Sequence, residues 1–234
     1  MLIGIYRKMV YDEDRESWKT KEMSIDIFNG FEGDALLAQA AIFFVAGRET
    51  SIATMTCALF ELAKQPEMQK RVREETHKTI QDANDVTYEA VHNMKYLHQV
   101  INETLLYPPV PIIDRFPLSD DIFPGTKITD KKDIPVYVVL FGIQTDLRYY
   151  LDPMHFDPER FSDERKNHIV PCTFLPFGEG PYKLVNWTRS HKRILTMILR
   201  DYEVALHPSW KNPIDPRNVF ISPPAGFLLN FKKI

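Results

Sequence analysis

Two stretches hold the side chains that could do chemistry. The first is Ala46-Gly47-Arg48-Glu49-Thr50-Ser51, which sets an acid beside a hydroxyl in the middle of an apolar run. An acid next to a hydroxyl can pass protons, and a helical threonine can bond back to the carbonyl four residues earlier, here Ala46, bending or opening the helix. That describes a widened groove for a small ligand with a proton relay. The same residues also describe a surface-facing bend carrying an Arg48–Glu49 ion pair, and residue types alone leave both readings open. The second stretch is FLPFGEGP, Phe174 to Pro181, in which Pro176 and Pro181 flank Gly178 and Gly180. Glycines that permit unusual backbone angles, held by prolines that fix them, make a stiff loop suited to presenting a ligating side chain or N–H groups. Tyr182, Lys183, Leu184 and Val185 follow, and no Cys, His or carboxylate appears before His191.

The elements that must position these stretches are legible from proline and periodicity. Of 17 prolines only Pro66 precedes residue 107. The first half can therefore be helical, whereas the second must be mostly turns and short strands. Residues 1–33 are polar and irregular, with an acidic patch at Asp12-Glu13-Asp14, and read as a poorly ordered lead-in. A long helix runs from Asp34, a fair N-cap, to Lys64, where Pro66 ends the pattern. At 1.5 Å per residue it spans roughly 45 Å. It is apolar nearly all round, so it should run through the middle of the domain. Charged helix follows over 66–82, a short helix starts at Thr87, and Met94, Leu97, Ile101 and Leu105 mark another that ends before Pro108. Ile134 to Phe141 is the clearest strand. Asp121 to Asp130 resembles a turn between short strands. A last helix and strand occupy 193–206, and residues 226–231 are their candidate partner. The fold class is mainly α with a small β part.

Bulk properties narrow the function classes. The 234 residues are 44% hydrophobic with net charge −3, which supports a core and gives no reason to expect nucleic acid. Cys57 and Cys172 are too few for a disulfide framework and have no zinc spacing, so a reducing, intracellular setting is expected. The apolar start is too short for a signal peptide or membrane anchor. The run Ala35–Gly47 suits a core helix better than a membrane span.

Four motifs in register carry a family resemblance: AGRETS in a long helix, ETLLYPPVP about fifty residues on, FDPERF at 156–161, and FLPFGEGP. In this order the chain resembles the C-terminal half of a microsomal cytochrome P450 of the animal drug- and xenobiotic-metabolising branch, from about residue 35 onward. The resemblance makes 34–234 a partial cytochrome P450-like domain. It implies an oxygen-binding groove at Ala46 and Gly47, with Glu49 and Thr50 as the catalytic proton relay. It implies that Glu103 and Arg160 belong to the buried Glu-x-x-Arg and Pro-Glu-Arg-Phe network. The motif here reads Glu103-Thr104-Leu105-Leu106-Tyr107, so its arginine is missing. Arg115 matches an arginine that pairs with a haem propionate, and Phe177, Gly178 and Gly180 match the haem-binding loop.

The second half of that loop departs from the family. Tyr182 stands where the second propionate-binding arginine belongs, Asn186 replaces a glycine, and Leu184 occupies the thiolate position. Leucine cannot ligate iron, so no metal ligand is assigned. Cys172 reads as a small buried thiol, and His191, beside Lys192 and Arg193, as a solvated histidine. His77, His92, His98, His155 and His168 have no ligand spacing. The family implies haem b, a reductase partner, a small hydrophobic substrate and the cytosolic face of the endoplasmic reticulum membrane. For this chain the expectations are impaired haem binding and turnover, no membrane anchor, and a cytosolic or undetermined location. Three readings follow: a haem-thiolate monooxygenase that inserts one oxygen atom into a small apolar substrate, a non-catalytic truncated remnant or partial gene model, and a binder of haem or hydrophobic ligand without turnover.

Overall fold

Helix α1 (Asp34–Lys64) has the length and bounds that its apolar run and Pro66 predict. The computed structural model describes residues 7–12, 17–22, 34–80, 86–106, 112–178, 188–210 and 227–234. The chain divides into two compact units, 1–48 with 180–182 and 49–179 with 183–234, so the boundary falls within α1.

In the smaller unit, strands β1 (Arg7–Asp12) and β2 (Ser17–Glu22) pair antiparallel, with Arg7 opposite Glu22 and Asp12 opposite Ser17. Over these two stretches the chain is extended rather than irregular; the rest of 1–33 lies outside the described residues. Val10, Tyr11, Trp18 and Thr20 favour extended backbone in spite of their charged neighbours. The same unit holds the first half of α1, where Leu37 is 69% and Phe44 66% exposed. The expectation of a helix buried along its whole length therefore fails over this half. Composition states what a helix could bury, not what the chain supplies to cover it. By length and composition alone, Leu36–Lys64 is also sufficient to cross a membrane.

The larger unit contains the core. From Thr54 onward α1 is increasingly buried, and Ala58, Leu59 and Leu62 pack with Val72, Leu97, Ile101, Leu195 and Leu199. These come from α2 (Pro66–Thr79), α4 (Lys95–Leu106) and α6 (Thr188–Asp201). Pro66 opens α2, where its missing N–H costs nothing. The short α3 (Tyr88–His92) starts where Thr87 Oγ1 accepts the Ala90 N–H at 3.2 Å. Two long-range side chains close the junction between α3 and α4. Glu75 accepts the N–H groups of Tyr96 and Leu97 at 2.8 and 2.9 Å, and Lys192 Nζ donates to the carbonyls of His92 and Met94 at 3.2 and 3.0 Å. An anion at a helix start and a cation at a helix end both complement the helix dipole.

Three antiparallel pairs make up the β part of this unit. They are β3 (Ile112–Arg115) with β6 (Val136–Val139), β4 (Asp121–Ile122) with β5 (Thr129–Asp130), and β7 (Tyr202–Leu206) with β8 (Leu229–Lys233). The last two are the pairings read from the sequence. The strand expected over 134–141 is shorter, because Leu140 begins the five-residue helix α5 (Leu140–Gln144) and turns its side chain into the interior. Buried Gln69 ties α2 to β7, donating to the Val204 carbonyl at 2.8 Å and accepting the Val204 N–H at 2.9 Å.

Candidate functional site

The Ala46–Ser51 motif lies where the boundary between the units crosses α1, and the backbone stays α-helical through it. Arg48 is exposed, with its guanidinium 5.8 Å from the centre of the Phe44 ring, the charge–ring geometry of a weak cation–π contact. Glu49 is exposed and Thr50 half-buried.

Glu103 and Arg160 come together as the resemblance implies. Glu103 is on the last turn of α4, and Arg160 is in the 3₁₀ turn Pro158–Phe161, whose Asp157 cap accepts the Glu159 N–H. Arg160 Nε donates to Glu103 Oε1 at 3.2 Å, and the Asp157 N–H donates to the same oxygen at 3.0 Å. The rest of the guanidinium holds the carbonyls of Leu151, Asp152 and His155 at 2.6, 2.8 and 3.1 Å. Glu103 Oε2 is buried with no hydrogen-bond partner. Leu106, one helical turn on and 2% exposed, places an alkyl group where a donor would reach it. Burial pushes the Glu103 carboxyl up to about 7, against the lowering effect of the Asp157 N–H and Arg160.

The stiff loop is described as far as Gly178. Gly180, Tyr182, Leu184 and Asn186 lie outside the described residues. Phe177 packs against the core, and Gly178 takes φ +72°, in the left-handed region. A Cβ at Gly178 would stand 2.5 Å from Arg115 Nη2, so glycine lets the Arg115 guanidinium lie against the loop backbone. Arg115 also donates from Nη1 to the Asp114 carbonyl at 2.6 Å. These contacts bring together Arg115, Phe177 and Gly178, three of the positions the resemblance names.

Two expectations fail. His191 is 3% exposed rather than solvated, neither ring nitrogen has a partner, and burial lowers its pKa to about 4. The signal was present in the spacing, because His191, Leu195 and Leu199 fall on one stripe of α6, all buried. Cys172 is exposed rather than buried. It sits at φ +63° in the turn closed by the Thr173 N–H on the Val170 carbonyl. Cys57 is half-buried, and burial raises its thiol to about 12, far from the thiolate form.

A helix-dominated fold, a buried Glu103–Arg160 pair and a Phe-Gly loop held against an arginine are features that the resemblance names. The chain belongs to the cytochrome P450 family, whose model matches residues 14–231. The match begins some twenty residues earlier than the motifs indicate, and so takes in part of the lead-in. Cytochrome P450 6k1 of Blattella germanica is 39% identical over 210 residues, 87% of this chain and 40% of that protein. Cytochrome P450 6B1 of Papilio polyxenes is 38% identical over 203 residues, 82% and 40% respectively. Cytochrome P450 6a8 of Drosophila melanogaster is 35% identical over 225 residues, 92% and 44%. The chain thus spans about two fifths of the length of the curated relatives it matches.

The family implies haem, held through a cysteine thiolate that favours O–O cleavage. The side chains of this chain do not fit a thiolate-bound haem. Position 184 is leucine, which has no donor atom. Cys57 is held as a thiol, and Cys172 faces solvent from the turn just before the loop.

Proposed function

We propose that this chain is a cytochrome P450 relative that does not carry out the family's monooxygenase reaction. The observation that carries this reading is leucine at position 184, where the resemblance requires the iron-ligating cysteine. The unpartnered Glu103 Oε2 supports it, since the network that the Glu-x-x-Arg arginine would complete lacks a donor here. In this reading Ala46, Gly47, Glu49 and Thr50 are inherited groove and relay positions without a reaction to serve. Arg115, Arg160, Phe177, Gly178 and Gly180 are inherited scaffold. The family in general works with redox partners and hydrophobic substrates, and its microsomal type belongs to the endoplasmic reticulum. For this chain a reductase and an oxidisable substrate are ancestry rather than working partners.

The test is to purify the chain, titrate it with haemin, then reduce it under carbon monoxide and assay NADPH-dependent oxidation with a reductase. The expected result is no thiolate-type carbon monoxide band and no turnover. Such a band, or substrate oxidation above the haemin-only control, overturns the proposal.

A further inference from the structure

One carboxylate oxygen ties a whole segment, 151–162, to the end of α4. Glu103 Oε1 accepts the Asp157 N–H at 3.0 Å and Arg160 Nε at 3.2 Å. Arg160 then gathers the segment onto itself through the carbonyls of Leu151, Asp152 and His155. Asp152 is held at φ +48°, a left-handed backbone that a non-glycine residue adopts only under constraint. Apart from these bonds the segment is lightly anchored. Leu151 is 84% and Met154 64% exposed. Its other described ties are Phe156 against the core, the Phe161–Phe174 ring contact, and the surface ion pairs Arg71–Glu159 and Arg165–Asp157.

The hydrogen bonds favour a proton on this carboxyl while the segment is closed. Oε1 keeps both of its donors whether the group is neutral or ionised. Arg160 keeps its three carbonyls, so its charge does not rest on Glu103 alone. Oε2 is shielded from solvent and has no partner, so it is the oxygen that carries the proton. Negative charge spread onto a buried oxygen with no donor is costlier than one unmet O–H. Water can satisfy an ionised Oε2 only when the side chains that shield it part. The surrounding ionisable groups do not supply that donor. Arg160 and Asp157 meet Oε1, and Tyr150 bonds Thr173 instead. On α1, Glu61 is paired with Lys64 at 2.8 Å, and Cys57 is held as a thiol. Glu75 of α2 and Lys192 of α6 are spent at the opposite end of α4.

We propose that Glu103 is a protonation-controlled latch: with the carboxyl neutral, segment 151–162 is closed on α4, and with it ionised, the segment opens to let water reach Oε2 while the rest of the core stays folded. Opening releases the proton to solvent and frees Asp152 from its constrained backbone. Burial lifts the closed carboxyl to about 7, and in the opened, hydrated state it returns to its ordinary 4.5. Opening is therefore promoted as pH rises from about 4.5 to 7 and levels off above that. The latch needs no haem, so it stands or falls separately from the proposed loss of turnover.

The test is amide hydrogen exchange of the full chain, followed by NMR from pH 4.5 to 7.5 and corrected for the intrinsic pH dependence of exchange. The N–H groups of Asp157, Arg160 and Ser162 report on the latch, since each is hydrogen-bonded across or within it. Their protection should fall about a hundredfold over this range and change little in dilute urea. The core amides of Leu195 and Leu199 should remain more protected and respond steeply to urea. Glu103→Gln is neutral at every pH and keeps an acceptor on Asp157 and Arg160, so it should make the segment's protection independent of pH. If that variant does not fold, the pH and urea dependence of the parent decide alone. The proposal is overturned if protection of the three amides does not fall as pH rises. It is equally overturned if they follow Leu195 and Leu199 with the same urea slope, or if the pH dependence survives in Glu103→Gln.

Discussion

Arg160 Nε meets Glu103 Oε1 at 3.2 Å in a pair whose side chains are 8% and 2% exposed, while the other oxygen of that carboxyl has no partner. One half of the carboxylate is therefore doubly satisfied and the other half is desolvated without compensation. Desolvation wins, and the carboxyl titrates near 7 instead of near 4.5. A buried ion pair short of its remaining hydrogen bonds is a poor source of stability.

Glu103→Gln should remove a loss of stability that the carboxyl imposes as pH rises from about 4.5 to 7. The folded pKa lies above the unfolded value, so the native state binds more protons between about 4.5 and 7. Stability from this group is fully present below about 4.5 and is lost as pH rises through about 7, a swing of up to roughly 3 kcal/mol. His191, lowered to about 4 by burial, acts in the opposite sense, since its neutral buried form loses stability as pH falls below about 6.5. Urea denaturation of parent and variant from pH 4 to 8 isolates the glutamate as the difference between the two curves.

Leu106→Arg supplies a donor one turn from Glu103, on the same helix face. The Glu103 carboxyl should then fall back toward or below its ordinary value, and its contribution to the loss of stability between pH 4.5 and 7 should vanish. The carboxyl pKa followed by NMR is the direct check.

His191→Leu should stabilise the protein by about 1–2 kcal/mol at pH 7, because it removes two unpartnered ring nitrogens from an apolar site. The gain should grow at pH 5, where the imidazole is protonated in the unfolded chain but still mostly neutral in the fold. Thermal melts at both pH values test the direction.

Gly178→Ala should cost about 1–3 kcal/mol from two sources, a backbone at φ +72° and a Cβ that meets Arg115 Nη2. The guanidinium is the far end of a flexible side chain, so Arg115→Ala should relieve the steric part and leave the backbone part. A double-mutant cycle in urea separates them.

The bounds of α1, the Thr87 cap, and the β4–β5 and β7–β8 pairings were legible because each has a local cause: a proline stop, a capping hydroxyl, a turn between short strands. Glu103 and Arg160 are 57 residues apart, and only the order of motifs pointed to their pairing. What composition hid was the partner supply. Nothing local in α1 tells that Phe44 is exposed while Leu62 is fully buried. His191 was misread because its charged neighbours Lys192 and Arg193 suggested solvent, whereas the four-residue stripe with Leu195 and Leu199 decides its face. Even Lys192 is buried, its ammonium spent on two carbonyls.

That lysine has a consequence for the order in which the chain is made. Glu75 precedes the α4 amides it holds by 21 and 22 residues, so α4 can acquire its cap as soon as it emerges during synthesis. The carbonyls at the end of α3 wait 98 and 100 residues for Lys192. A nascent chain halted before α6 would carry a capped α4 beside an α3 whose end still lacks its cationic partner.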